Sequence, residues 1–171
     1  VRIDGVKDLR LDVDTLHLAR RSGAKIVLTF RALAYGFDEE LKREIPDVPI
    51  RETGVLRDER GRIVRDPDTG QMVRTTNQGD PGYKAAQARV NRLQSIYMIV
   101  RALAPDSGVT FEADRKACKD TADYCERIEQ EIIAAGFSLG DVAQMLAFVL
   151  QLSNLSKEKV EAARESFLSE T

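Results

Sequence analysis

The stretch from Asp80 to Ala104 constrains this chain most. Asp80 can accept hydrogen bonds from the orphan amides of a first helical turn, and Pro81 suits the first helical position, where no amide is needed. Behind that start, Tyr83, Ala86, Val90, Leu93, Tyr97, Val100 and Ala104 recur at alternating spacings of three and four. That is a single apolar stripe along a long helix. Ile96, Ile99 and Leu103 widen the stripe toward its C-terminal end, which should therefore be covered on more than one side. The remaining elements read as material packed against this helix.

Upstream, Leu9-Arg-Leu-Asp-Val-Asp14 alternates apolar and charged residues, the period of a half-buried strand with Leu9, Leu11 and Val13 inward. Ser22-Gly23 interrupts the chain, and Lys25–Leu33 is a second strand with Ile26, Leu28 and Phe30 on one face. A short helix opens at Gly36-Phe-Asp38, with Asp38 as N-cap and Leu41 and Ile45 facing inward, and Pro46 and Pro49 end it.

Arg51 to Asn77 differs in kind. Arg57-Asp-Glu-Arg-Gly-Arg-Ile-Val-Arg65 is followed by Arg65-Asp-Pro-Asp-Thr-Gly-Gln-Met-Val-Arg74, a near-repeat of a polar, glycine-containing turn, an apolar pair and arginine. This predicts a small β-meander with turns at Glu59–Gly61 and Pro67–Gly70. Its apolar content is thin (Val55, Leu56, Ile63, Val64, Met72, Val73), so it is expected to project or to lie against a partner, the alternative being a mobile surface insertion.

After the long helix, Val109–Glu112 is a short strand or an extended link. A helix is expected from about Arg115 to Ala135, with Cys118, Ala122, Cys125, Ile128 and Ile132 buried and Gly136 as a left-handed C-cap. Ser138 caps the next helix, whose Met145–Leu152 stretch is apolar nearly all round, and Ser156 caps a last one that turns Val160, Ala163 and Phe167 inward. The fold class is α+β, predominantly α-helical: N-terminal strands and a short helix over 1–50, a projecting β-meander over 51–79, and a bundle of about four helices over 80–171.

With 26 basic and 28 acidic residues the net charge is −2, which gives no global reason to seek nucleic acid or acidic membranes. No signal peptide is visible and no apolar run approaches the ~20 residues of a membrane span, so the chain reads as cytosolic. Cys118 and Cys125 stand two helical turns apart, roughly 10 Å, too far for a disulfide, and read as buried thiols of a reducing compartment. His17 is the sole histidine, and Asp12 and Asp14 beside it look like a solvated strand face. Asp66-Pro-Asp68-Thr-Gly70 lacks the spacing and the bidentate glutamate of a calcium loop. No P-loop, nucleophile elbow, zincin motif or dinucleotide fingerprint is present. The residues therefore point to no catalytic set, no metal and no cofactor.

Three stretches together resemble a known family: Ile26-Val-Leu-Thr-Phe-Arg-Ala-Leu-Ala-Tyr-Gly36, Asn77-Gln-Gly-Asp-Pro-Gly-Tyr83 leading into the long helix, and Asp141-Val-Ala-Gln-Met-Leu146 continuing to Phe167. Their order and style resemble the tail assembly chaperones of long-tailed bacteriophages, over about two thirds of the chain, with the meander outside the likeness. The resemblance implies a non-enzymatic protein of the infected host's cytoplasm that coats the helical tape-measure protein during assembly, as an oligomer or a soluble complex. Such a role calls for exposed apolar surface, for which Ile96, Ile99, Leu103, Met145, Leu146, Phe148, Val149 and Leu150 on the helices are candidates, as are Ile63, Val64, Met72 and Val73 on the meander. The alternatives are a structural virion component, such as a tail or head–tail adaptor protein, and a small motif-less enzyme or regulator.

Overall fold

The computed structural model describes residues 12–19 and 25–153. The fold is α+β and mainly helical, with four α-helices and two small antiparallel sheets among the described residues. The chain divides into two units, Val1–Pro46 with Asn91–Thr171, and Asp47–Val90.

In the first unit, β1 (Val13–Ala19) and β2 (Lys25–Arg31) form an antiparallel hairpin in which Leu16 faces Leu28 and Leu18 faces Ile26. Ile26, Leu28 and Phe30 make the inner face of β2 as its alternation predicts. The first strand lies later in the chain than expected and has the opposite phase. Leu18 is buried whereas Val13 is 60% exposed, so Val13 points outward beside the exposed His17. The cause is register, because the pairing sets Leu16 and Leu18 on the same face as Leu28 and Ile26. Leu9 and Leu11 lie outside the described residues, as does the helix expected from Ser156 with Val160, Ala163 and Phe167.

α1 (Phe37–Glu44) starts at a left-handed Gly36, φ 82°, so Asp38 falls inside the first turn and is not the cap. α2 (Pro81–Ala102) begins at the expected proline, and Asp80 accepts from the Gly82 amide at 2.8 Å. Beyond it the chain returns to the sheet: Leu103 bridges Phe30, and the Ala104 amide donates to the Thr29 carbonyl at 3.0 Å. Val109–Glu112 forms no strand. The Glu131 carboxylate holds it instead, accepting from the amides of Glu112 at 2.8 Å and Ala113 at 2.7 Å.

α3 (Thr121–Ala134) starts later than the periodicity suggests. Asp114 and Asp120 each turn a side chain onto a nearby amide, so Arg115–Ala117 is a single 3-10 turn and Cys118 sits half-buried outside the helix. α4 (Leu139–Leu152) has Ser138 as N-cap with Asp141 completing a capping box, and Gly136 takes the left-handed conformation at φ 82°. α4 packs on the hairpin, with the Phe148 ring tilted on Phe30 at 5.8 Å. Phe30, Leu18, Ile96, Ile99, Ile128, Leu146 and Val149 are the fully enclosed centre of this unit.

The second unit holds β3 (Glu52–Val55), β4 (Arg74–Thr76) and the first turns of α2. Gln87 of α2 accepts from the Val48 amide and donates to Asp47, which fixes the extended lead-in. Arg51 and Asn77 then clasp each other: the Asn77 amide donates to the Arg51 carbonyl at 3.0 Å, and Asn77 Oδ1 accepts from the Arg51 amide at 2.8 Å.

Candidate interaction surfaces

Between Arg51 and Asn77 the chain closes a figure that the two-turn reading did not anticipate. A meander would leave its outer segments apart. Here the Leu56 amide donates to Val73, the Val73 amide to Val64 and the Val64 amide to Leu56, at 2.8, 3.0 and 2.9 Å. Three antiparallel arms radiate from this ring. Their facing pairs are Arg57 with Ile63, Arg65 with Met72, and Arg74 with Val55. Each strand runs from one arm through the ring into the next, so the ribbon is a three-armed pinwheel.

Its pseudo-threefold character is written in the sequence. Arg51-Glu-Thr-Gly-Val-Leu-Arg57 is a third, shorter copy of the repeat, ending like the others in two apolar residues and arginine. The two full copies also use their side chains alike. Arg57 Nη1 donates to the Gly61 carbonyl at 2.8 Å, and Arg65 Nη1 to the Gly70 carbonyl at 3.0 Å. Asp58 accepts from the amides of Arg62 and Arg60, both at 2.9 Å, and Asp66 from Thr69 at 2.8 Å and Asp68 at 3.0 Å. Gly61 and Gly70 both need the left-handed backbone, at φ 76° and 68°. In the third arm Arg74 pairs with Glu52.

Those turn hydrogen bonds stabilise the ionised aspartates and hold both carboxyls below their ordinary range, through the Arg62 amide at Asp58 and the Thr69 amide and hydroxyl at Asp66. A lowered folded-state value means the stabilisation is present above the unfolded carboxylate value, about 3.9, and is lost as pH falls through the lower folded one. Acidification below about pH 4 should therefore loosen both closed arms. Amide resonances of Arg62 and Thr69 followed from neutral pH downward should shift together with arm opening, and Asp58→Asn should flatten the response of the first arm.

The twelve candidate docking residues differ in exposure. Ile96, Ile99, Met145, Leu146, Val149 and Leu150 are 3% exposed or less, and Leu103 and Phe148 are half-buried. Those six are core and cannot serve as surface in the folded chain, whereas Leu103 and Phe148 keep part of their surface. α4 packs one side on the hairpin, while Ala147 and Phe148 are half-buried and Gln144 and Gln151 are exposed. On the pinwheel, Ile63 and Met72 are 40% and 45% exposed, and Val64 and Val73 are half-buried around the ring. Leu56, 41% exposed, belongs with them. The repeat's missed third copy would have pointed to it.

The first unit has an apolar cleft of about 310 Å³, lined by Ile99, Leu103, Val109, Phe111, Phe137 and Met145 among others. Its Glu131 is committed to the backbone of Glu112 and Ala113. The other polar clusters of this unit tie helices together. Glu40 accepts from Tyr97 Oη at 2.8 Å and from Arg101 Nε at 3.1 Å. Burial, with help from Glu40, pushes the Tyr97 phenol up to about 12. Glu44 accepts from the buried Thr121 hydroxyl, which in turn accepts from Arg115. That bond holds the Glu44 carboxyl below its ordinary value. Burial likewise raises the Cys125 thiol to about 12, which makes it a packing group and a poor nucleophile.

His17, Asp12 and Asp14 stand exposed, and no group of three or more His, Cys, Asp or Glu among the described residues is placed to hold a metal ion. Asp66 and Asp68 spend themselves on a turn, and no described helix is long and apolar enough to cross a membrane. Compared with protein-family models, with curated proteins and with solved structures, the chain matches none.

Proposed function

We propose that the chain is a non-catalytic assembly protein that binds another protein through its pinwheel, in the manner expected of a phage tail assembly factor engaging the tape-measure protein. The observation that carries this reading is a contrast among the candidate docking residues. Ile96, Ile99, Met145, Leu146, Val149 and Leu150 are enclosed, whereas Ile63 and Met72 stand exposed on a ribbon held by three-way backbone closure. A closed ribbon presents its side chains with little ordering cost on binding. Interaction through this face replaces the helical docking surface implied by the resemblance.

The test is co-expression of the full chain with a coiled-coil tape-measure segment from a neighbouring reading frame, read by light scattering after gel filtration. A stable complex is expected. Ile63→Ser with Met72→Ser should abolish it while changing folding stability by no more than about 0.5 kcal/mol per site, as for other surface substitutions. A complex indifferent to both substitutions, or no complex, would overturn the reading.

A further inference from the structure

The pinwheel is two-faced. In an antiparallel arm, residues directly opposite share a face, and neighbours along a strand alternate. The pairs Arg57–Ile63, Arg65–Met72 and Arg74–Val55 therefore lie on one side, with the ring residues Leu56, Val64 and Val73 on the other. Of the acids, Glu52 meets Arg74 on the first side, and the others follow the second side or the turns. Asp58 and Asp66 each sit one residue after an arginine of the first face, and both carboxylates are taken up by turn amides. Glu59 and Asp68 lie in the turns themselves.

The arginine face is thus left with charge to offer. Arg74 has Glu52. Arg57 and Arg65 have only a neutral carbonyl each, of Gly61 and Gly70, and neither meets a carboxylate among the described residues. A guanidinium has five N–H donors, and each of these two spends one donor nitrogen on steering itself. The rest of the fork is free for a carboxylate in bidentate geometry. Beside each stands an exposed aliphatic side chain, Ile63 or Met72. The unit of recognition, a steered cation next to a greasy contact, occurs twice in succession.

We propose that this face docks an acidic, aliphatic-bearing segment of a partner protein, with carboxylates on Arg57 and Arg65 and Leu- or Ile-like side chains against Ile63 and Met72. The inference rests on the reading of the pinwheel as the partner-binding element and adds the chemistry of what it binds. Nucleic acid fits less well. The ribbon from Arg51 to Asn77 has no aromatic residue on which a base could stack, and Ile63 and Met72 would gain nothing from a phosphate backbone.

The experiment uses the full chain and three labelled probes: a short peptide alternating Glu and Leu, its Lys-for-Glu counterpart, and oligothymidylate. Fluorescence anisotropy should show binding of the Glu/Leu peptide alone, weakening as salt rises. Arg57→Gln with Arg65→Gln removes the charge but keeps an amide donor for each turn carbonyl. It should weaken binding about tenfold or more, the loss expected for two charge-assisted contacts. An unchanged amide spectrum of that variant shows that the arms remain closed. Equal binding of the Lys/Leu peptide, tighter binding of oligothymidylate, or full affinity in the double variant would each overturn the proposal. If the Glu/Leu peptide fails while the tape-measure segment is still captured in an Ile63- and Met72-dependent way, the acidic chemistry falls and partner binding stands. If both fail, both readings fall.

Discussion

Replacing Phe30 by alanine is expected to destabilise the first unit by about 3–5 kcal/mol, the range for emptying a fully packed aromatic site. Phe30 is completely enclosed, its ring lies 5.8 Å from Phe148, and its backbone bridges Leu103. Truncation opens a cavity shared by β2, α4 and the segment after α2, and none of these can close on it without giving up its own register. A typical domain has only about 5–15 kcal/mol in hand. The variant should therefore unfold at a far lower urea midpoint, followed by far-ultraviolet circular dichroism. A loss below about 1 kcal/mol would be too small for a packed aromatic site. It would mean that α4 is not clamped to the hairpin and that its apolar surface is available after all.

Gly70→Val should have its effect in the second unit. No atom lies within 4 Å of a Cβ placed there, so the obstacle is the backbone, at φ +68°. A β-branched residue held in that region costs about 1–3 kcal/mol. The local damage should spread. Opening the second arm loses the Asp66–Gln71 pairing and the Arg65 contact to Gly70, and frees Val73 from Val64. Because Val73 also accepts from Leu56, the ring fails as a whole. Trypsin should then cut at Arg65 and Arg74 faster than in the parent, while the far-ultraviolet helical signal persists. Gly79→Ala, at a position with an ordinary φ and open space, is the control and should leave the digestion pattern unchanged. Equal trypsin resistance in Gly70→Val and the parent would show that the three arms do not depend on one another.

The helices were legible because each has a start signal joined to a period. Asp80-Pro81 before the Tyr83–Ala104 stripe and Ser138 before Asp141 both reappear in the structure as helix starts. The first strand was misread because two alternations of opposite parity abut. Leu11-Asp-Val13 and Leu16-His-Leu18 each look like a half-buried face, and only the pairing with Ile26 and Leu28 decides between them. α3 began late because Asp114 and Asp120 offer side chains to the backbone, a local competition that apolar periodicity does not register. As for the site, apolar pattern shows that a helix face is covered, not whether the cover is the same chain or another. Ile96 and Val149 therefore looked as available as Ile63. The pinwheel's turns could be read from glycine and aspartate. Its closure could not, since it depends on the first and third copies of the repeat meeting, and the first copy is abbreviated at its turn.

The double clasp between Arg51 and Asn77 has a consequence for how such a chain can change. Both ends of the pinwheel leave through one narrow gate, so its contents can be rewritten without altering the path of the chain on either side. The strain of a substitution, lengthened turn or exchanged copy inside the gate stays within the three arms. The segment behaves as a cassette, free to vary its recognition chemistry while the enclosed residues around Phe30 stay under an unrelated set of constraints.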